Sequence, residues 1–289
     1  MADPAIHGSP GKGLFGATLG FFVGFAAVSL FGPTVVYLQN VVGLSAGLAG
    51  LLISIPSLSG SLLRIPFAAM VERDGGRRPF IVLLLLSLVG IVGIYLVMSL
   101  PTDQIASLFP LLLVLGVLGG CGIATFSVGI GQTSYWFPQT RQGTALGTYA
   151  GVGNLAPGIF ALLLTGVTIP AVGLSGSYLI WAIFLALGTA GYLLTGRNAW
   201  FFQYRRQGLD ETEARKKAIN DGQELFPSGK AIESLKLSAA VPQTWMLVVV
   251  YFSTFGGFLA LTAWLPKFGD GFMALELASV GVLTATYSI

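Results

Sequence analysis

Long apolar segments alternate with short polar loops along the whole chain. Because a helix needs about 20 apolar residues to cross a bilayer, this pattern predicts an all-α membrane protein. The eight predicted helices, in chain order, are Leu14–Leu38, Ala46–Val71, Pro79–Leu100, Ile105–Trp136, Ala145–Ile169, Ser177–Gly196, Thr244–Leu265 and a last one from about Leu275. The eighth helix is still apolar at Ile289, so we expect the sequence to end inside a helix of an incomplete protein.

A polar segment divides the predicted helices into two groups. Residues 1–196 form an N-terminal six-helix bundle, residues 197–243 a cytoplasmic linker, and residues 244–289 the start of a C-terminal bundle. Within the linker, Glu211–Asp221 predicts a short amphipathic helix that Asp210 caps. We expect the linker to lie along the membrane surface, and a regulatory or gating contact is the alternative.

Composition and charge support this topology. Hydrophobic residues make up 54% of the chain and charged residues 9%, whereas soluble domains contain about 25% charged residues. All but Arg64 and Lys267 of the 15 Lys and Arg precede predicted helix 1 or lie after predicted helices 2, 4 and 6. The positive-inside rule therefore predicts a multi-pass protein of the cell membrane with a cytoplasmic N-terminus. The net charge of +3 reflects topology and does not indicate nucleic-acid binding.

The sequence contains no motif that indicates an enzyme. Cys121 is the only cysteine and His7 the only histidine, which excludes an intrachain disulfide, a zinc site of Cys and His, and a Cys/His nucleophile. The sequence has no nucleotide-binding fingerprint and no carboxylate pair at catalytic spacing. We therefore expect no catalytic residue, no metal and no cofactor.

Arg64 lies in the middle of predicted helix 2. A cation at membrane depth costs about 2.5–3.5 kcal/mol and usually faces a polar cavity. Because no acidic residue lies in a neighbouring apolar segment, the simplest partner is a mobile anion. Arg64 is only about 12 Å of helix from Glu72, so snorkelling to the surface is the alternative. The nearby Ser57, Ser59 and Ser61 favour the cavity.

A charged loop follows predicted helix 2, with the sequence Glu72-Arg73-Asp74-Gly75-Gly76-Arg77-Arg78. It resembles the acidic-basic-Gly-Arg-Arg loop between helices 2 and 3 of the major facilitator superfamily, with Glu72 where that family usually has Asp. The resemblance implies that fold's helical bundle, here its N-terminal six-helix half with helix 7 and part of helix 8. It also implies that Glu72, Arg73, Gly76, Arg77 and Arg78 form a gating loop that stabilises one state of the rocking cycle. An ordinary positive-inside loop is the alternative.

Predicted helix 5 carries glycines and an amide at membrane depth. Gly143, Gly147 and Gly151 are spaced every four residues and, with Gly153, predict a bare surface where another helix packs closely. The amide of Asn154 can donate a hydrogen bond to an oxyanion. Its alternative role is to join helices.

Three segments together resemble the nitrate/nitrite porter family of this superfamily, namely residues 57–78, 135–154 and 251–258. In that family, nitrate or nitrite lies between an arginine of helix 2 and an arginine of helix 8. The resemblance implies that the substrate-binding residues here are Arg64, Asn154, Phe126, Tyr251 and Phe255. A weak internal repeat places the counterpart of Arg64 six residues beyond Ile289.

The pattern and the resemblance together predict a secondary transporter of nitrate and/or nitrite that works by alternating access and is monomeric when full length. No Asp, Glu or His lies inside the apolar spans, which favours nitrate/nitrite exchange over proton-coupled uptake. The alternatives are a carrier of another small anion such as formate, and a membrane nitrate sensor.

Overall fold

The computed structural model describes residues 6–228 and 231–289, so Lys230 of the predicted linker lies outside the described residues. Every regular element in the described ranges is helical. The α-helices, in chain order, are α1 (Pro10–Phe25), α2 (Phe31–Val42), α3 (Ala46–Asp74), α4 (Arg77–Met98), α5 (Thr102–Ser107), α6 (Phe109–Ser134), α7 (Gln142–Leu163), α8 (Ile169–Thr195), α9 (Trp200–Arg206), α10 (Glu211–Asn220), α11 (Ala231–Ala239), α12 (Pro242–Gly271) and α13 (Leu277–Ser288).

Most predicted helices are present, with ends that differ by a few residues. Predicted helix 1 is one span, Pro10–Val42, in which a 3-10 turn joins α1 to α2. Predicted helix 2 is α3, which starts at Ala46 because the Ser45 side chain caps it by accepting the Leu48 N–H. Predicted helix 7 is α12, which continues past Leu265 to Gly271.

The number of spans differs from the prediction. Six stretches are long and apolar enough to cross a membrane, against eight predicted helices. Predicted helices 5 and 6 lie within one 57-residue stretch, Gln139–Thr195. The backbone leaves helical geometry there at Gly173, with φ 71°, which glycine adopts without steric cost. Predicted helix 8 is α13, which is 12 residues long and too short to count as a span.

Glycines place α6 at the centre of the bundle, where it packs against α1, α3 and α4. A Cβ on Gly120 would collide with the backbone of Pro56 in α3, and a Cβ on Gly122 would collide with the backbone of Gly24 in α1. Gly90 of α4 approaches the α6 backbone in the same way. These small residues let the helix backbones touch, as in other membrane bundles.

The glycine surface predicted on α7 is only partly a packing surface. Gly153 lies against the ring of Phe21 in α1, so a Cβ there would collide with it. Gly143, Gly147 and Gly151 are exposed, and a Cβ on any of them would meet no described atom within 4 Å. Within the described residues, no helix packs against these three glycines, so their role as a packing surface stays a prediction.

The predicted linker contains more structure than its charge pattern indicated. The predicted helix at Glu211–Asp221 is α10, and the Asp210 side chain accepts the Glu213 N–H at 2.8 Å. An additional helix, α9, packs with α10 and with Trp136 at the end of α6 in a small apolar core. The sequence analysis did not predict α9, because its aromatic residues lie between Arg197 and Arg205 in a segment that reads as charged.

Candidate functional site

Arg64 contacts two aromatic rings that come from different parts of the chain. Its Cζ atom lies 5.1 Å from the ring centroid of Phe126 in α6 and 5.1 Å from that of Phe255 in α12. The two rings are stacked, with centroids 5.5 Å apart and planes at 20°. A guanidinium at this distance from a ring face is attracted by the ring quadrupole, by about 0.5 to 2 kcal/mol.

The close crossing of α3 and α6 places Arg64 against Phe126. Gly60, one turn before Arg64, packs on the α6 backbone at Gly120. The Ser59 hydroxyl donates to the Val117 carbonyl of α6 at 3.0 Å. Ser59 therefore joins two helices, and the expectation that it lines a polar cavity is wrong, because the helices approach too closely at that level.

Tyr251 completes a group of three rings beside the guanidinium. It stacks on Phe255, one turn away in α12, at 5.0 Å and 13°. Its ring centroid lies 6.4 Å from that of Phe126. The structure thus brings together four of the five predicted substrate-binding residues, Arg64, Phe126, Tyr251 and Phe255.

The guanidinium of Arg64 keeps unused hydrogen-bond donors. Its Nε and Nη2 atoms are buried and have no hydrogen-bond partner in the described part of the chain. Within residues 6–228 and 231–289, the one ion pair joins Arg73 to Asp74, so no carboxylate neutralises Arg64. An arrangement with a buried cation and free N–H groups can receive an anion.

Asn154 is the fifth predicted residue, and no hydrogen bond joins it to Arg64 in the described residues. Its Oδ1 atom is buried and lacks a hydrogen-bond partner. If Asn154 joined two helices, its side chain would form a hydrogen bond to a neighbouring helix. Its Oδ1 atom forms none with the described residues.

Tyr149 and Phe21 belong to the same aromatic group, and the sequence analysis missed them. The Tyr149 hydroxyl lies 3.0 Å from the carbonyl oxygens of both Thr125 and Phe126. Phe21 stands 5.2 Å from Phe126 and 5.3 Å from Tyr149 between ring centroids. Tyr149 could have been predicted to face the bundle, because it lies four residues before Gly153 and so on the same face of α7.

Two adjoining cavities lead from this group toward the charged loop. A cavity of about 390 Å³ is lined by Arg64, Glu72, Ser127 and residues of α11. A second, of about 450 Å³, shares Glu72 and Ser127 and reaches Phe126 and Tyr135. Burial raises the pKa of the Tyr135 hydroxyl to about 12, and the Glu72 carboxylate adds to the shift, so this phenol is neutral at physiological pH.

The predicted gating loop is held by a residue far away in the sequence. The Asn198 side chain accepts the Arg77 N–H at 2.8 Å and donates to the Asp74 carbonyl at 3.0 Å. The Arg77 guanidinium donates to the Leu193 carbonyl near the end of α8 at 2.8 Å. Gly76 packs on the side chain of Gln132 in α6. The loop thus joins helix ends on one side of the bundle, through Asn198 and Gln132, which the sequence analysis missed.

Glu72 and Arg73 of the loop make exposed contacts. Glu72 accepts a hydrogen bond from the Ser228 hydroxyl at 3.0 Å. Arg73 pairs with Asp74 at 3.4 Å and is 86% exposed, and such an exposed pair contributes little to stability.

This chain matches the Major Facilitator Superfamily over residues 17–289. A probable nitrate/nitrite antiporter, NarK1 of Thermus thermophilus, is 29% identical over 94% of this chain and 56% of its own length. A nitrite extrusion protein of Bacillus subtilis is 28% identical over 93% of this chain and 60% of its own length. The nitrate/nitrite transporter NarU of Salmonella typhimurium is 26% identical over 90% of this chain and 55% of its own length. The chain therefore spans little more than half the length of these relatives.

A solved structure shows the same fold. The partially occluded inward-open conformation of the xylose transporter XylE from E. coli superposes with a TM-score of 0.67, covering 96% of this chain and 71% of that one at 16% identity. The predicted all-α membrane fold is confirmed, and the family consists of transporters rather than enzymes. The chain belongs to the Major Facilitator Superfamily, and its predicted resemblance to the nitrate/nitrite porter family is confirmed.

Proposed function

We propose that this chain is part of a secondary transporter that moves nitrate and/or nitrite across the membrane by alternating access. The observation that carries the proposal is the Arg64 guanidinium beside the rings of Phe126 and Phe255, because its buried Nε and Nη2 atoms have no hydrogen-bond partner among the described residues. The names of the relatives add the substrate class, since they are nitrate/nitrite transporters and antiporters.

The chemistry of the site suits a small planar anion. A guanidinium offers a planar fork of N–H donors that matches the planar array of oxygens in nitrate. In the proposal, the flat rings of Phe126, Phe255 and Tyr251 beside the guanidinium favour a flat ligand over a bulky one. In the proposal, the Asn154 amide and the Tyr251 hydroxyl complete the oxygen contacts.

Transport by this site requires two bundles that move against each other. The proposed division is a first bundle at residues 1–196, a linker at 197–243 and the start of a second bundle at 244–289. Arg64 and Phe126 lie in the first part and Phe255 in the last, so binding of an anion between them would favour the closed state. The loop from Glu72 to Arg78 would then stabilise one state through its bonds to Asn198 and Leu193.

The proposed protein is a monomer in the cytoplasmic membrane with its N-terminus in the cytoplasm, and it works as an exchanger. In the described spans, acidic residues lie only at helix ends, as Glu72 and Asp74 do in α3 and Asp270 in α12. A proton relay needs a carboxylate or histidine at membrane depth. Exchange of nitrate for nitrite needs none.

The test compares the full-length protein with its Arg64→Lys variant in liposomes. Lysine keeps the charge but loses the fork, so we expect uptake of labelled nitrate to fall at least tenfold with normal insertion into the membrane. Arg141→Lys, in the exposed loop before α7, is the matched control and should transport normally.

Other outcomes would replace this proposal. Normal nitrate uptake by the Arg64→Lys variant would contradict the assignment of the site. Transport of formate but of neither nitrogen oxyanion would indicate a different carrier, and binding of nitrate without flux would indicate a sensor.

A further inference from the structure

A group of arginines lines a pocket beside the charged loop. The pocket has a volume of about 200 Å³ and lies between the α3–α4 turn and α9. Its lining residues are Arg73, Asp74, Arg78, Phe202, Arg205 and Arg206. Four cations therefore face one carboxylate, which leaves the pocket with an excess of three positive charges.

Positive-inside topology explains why these cations are on one side of the membrane, but it does not explain their convergence. Arg73 and Arg78 flank one turn, and Arg205 and Arg206 end a helix about 130 residues later in the sequence. Folding brings the two pairs together against their mutual repulsion. Of the four arginines, only Arg73 forms an ion pair with a described residue.

The position of Arg78 makes the arrangement more costly. It lies with Arg77 in the first turn of α4, which contains no acidic residue. The N-terminus of a helix carries a partial positive charge and favours anions rather than cations. Arg77 also lies near Arg197 and Arg206, so the positive field extends beyond the pocket. A bound anion would relieve both the repulsion among the arginines and their conflict with the helix end.

Hydrogen bonds and packing define the two sides of the pocket. Asn198 bridges the two ends of the α3–α4 turn on one side. On the other, the ring of Phe202 is buried, and the Arg205 guanidinium is anchored by donation to the Leu209 carbonyl at 2.7 Å. Arg78 and Arg206 make no hydrogen bond with any described residue through their guanidinium groups and are exposed to a ligand.

We propose that this pocket binds the phosphate group of an anionic phospholipid of the membrane leaflet that faces it. Arginine forks bind phosphate oxygens in pairs, and basic pockets at the cytoplasmic ends of membrane helices suit acidic headgroups. The pocket lies beside the turn that joins two membrane-spanning helices, α3 and α4, and in the proposed topology the ends of such helices lie near the headgroups. Free phosphate shares this chemistry, and the experiment separates the two sources.

The experiment measures lipid selectivity of the full chain in nanodiscs of phosphatidylcholine that contain 10–30% phosphatidylglycerol. Spin-labelled phosphatidylglycerol and phosphatidylcholine report which lipid is held by the protein. We expect a preference for phosphatidylglycerol that falls about tenfold in the double variant Arg78→Gln/Arg206→Gln. The Arg78→Lys/Arg206→Lys variant should keep part of the preference, because it keeps the charge but loses the forks.

A charge-matched control removes two exposed cations outside the pocket, as Lys216→Gln/Lys236→Gln. We expect this variant to keep the preference within twofold. An equal loss of preference in both glutamine variants would show that only the total surface charge matters and would contradict the proposed pocket. An unaltered preference in the Arg78→Gln/Arg206→Gln variant would contradict it as well. If 10 mM inorganic phosphate displaced the labelled phosphatidylglycerol completely, the ligand would be a free anion and the lipid would be the wrong source.

Discussion

Other residues position both the ring and the backbone of Phe126, the residue whose ring contacts Arg64. Phe21 packs on its ring at 5.2 Å, and the Tyr149 hydroxyl lies 3.0 Å from its carbonyl oxygen. Tyr149 is fully buried, and its hydroxyl lies equally close to the Thr125 carbonyl oxygen, at 3.0 Å. At the scale of single residues, the site therefore depends on a second layer of aromatic side chains from α1 and α7.

The Tyr149→Phe variant tests this second layer. Removing one buried hydroxyl should lower the free energy of unfolding by about 1 kcal/mol. It should also release Phe126 and weaken nitrate binding about threefold, equivalent to about 0.7 kcal/mol. Thermal unfolding and equilibrium binding of nitrate measure the two effects.

Tyr178→Phe is the matched control for that change. Tyr178 is equally buried, and its hydroxyl is 2.7 Å from the Thr34 hydroxyl, in a different part of the bundle. We expect a similar loss of stability with unaltered nitrate affinity. Equal loss of affinity in the two variants would mean that Tyr149 has no special role.

At the scale of elements, the crossing of α3 and α6 determines where the site forms. The two helices touch through Gly60 and Gly120, and Gly131 lies beside Val71 two to three turns further along. They therefore run in the same direction and stay close from the level of Gly60 to the charged loop. A larger residue at the crossing would separate Arg64 from Phe126.

The Gly120→Ala variant tests the crossing. A methyl group there collides with the Pro56 backbone, and overpacking of this kind costs about 1–3 kcal/mol. We expect the midpoint of thermal unfolding to fall by several degrees and nitrate uptake to fall with it. Gly47→Ala is the control, since that position in the first turn of α3 has no described atom within 4 Å of a Cβ. Because alanine is the better helix former, the control should be at least as stable as the original protein, and a destabilised control would contradict this argument.

At the scale of the whole molecule, one layer of structure covers the ends of the helices. It consists of the loop from Glu72 to Arg78, the segment around Asn198 and the apolar core of α9 and α10. The Gln203 side chain donates to the carbonyls of both His7 and Asn198, which joins the start of the chain to this layer. Nine of the 15 Lys and Arg residues of the sequence belong to these segments. The proposed orientation places this layer in the cytoplasm.

Labelling of introduced cysteines tests the orientation. Cys121 is the only cysteine and is buried, so the unaltered protein should remain unlabelled by a membrane-impermeant maleimide. We expect Thr102→Cys, exposed at the opposite end of the bundle, to be labelled in intact cells. Gln207→Cys, exposed after α9, should be labelled only after permeabilisation. The reverse result would invert the proposed topology.

Patterns of hydropathy and charge along the chain are enough to predict the class of fold, the approximate bounds of the helices and a cation at membrane depth, Arg64. They are enough because hydropathy and charge act locally, and each residue adds its transfer free energy wherever its neighbours lie. The same local signals placed α10 and its cap at Asp210 correctly.

Which side chains meet depends on how the helices pack in three dimensions. That packing brought Arg64 to Phe126 and Phe255, gave Asn198 its role between Asp74 and Arg77, and left Gly147 without a neighbour among the described residues. Close packing depends on residues that are 60 to 190 positions apart in the chain, and no spacing within one helix records which helix lies opposite. A glycine therefore predicts that close approach is allowed, whereas the arrangement of the helices determines whether it occurs.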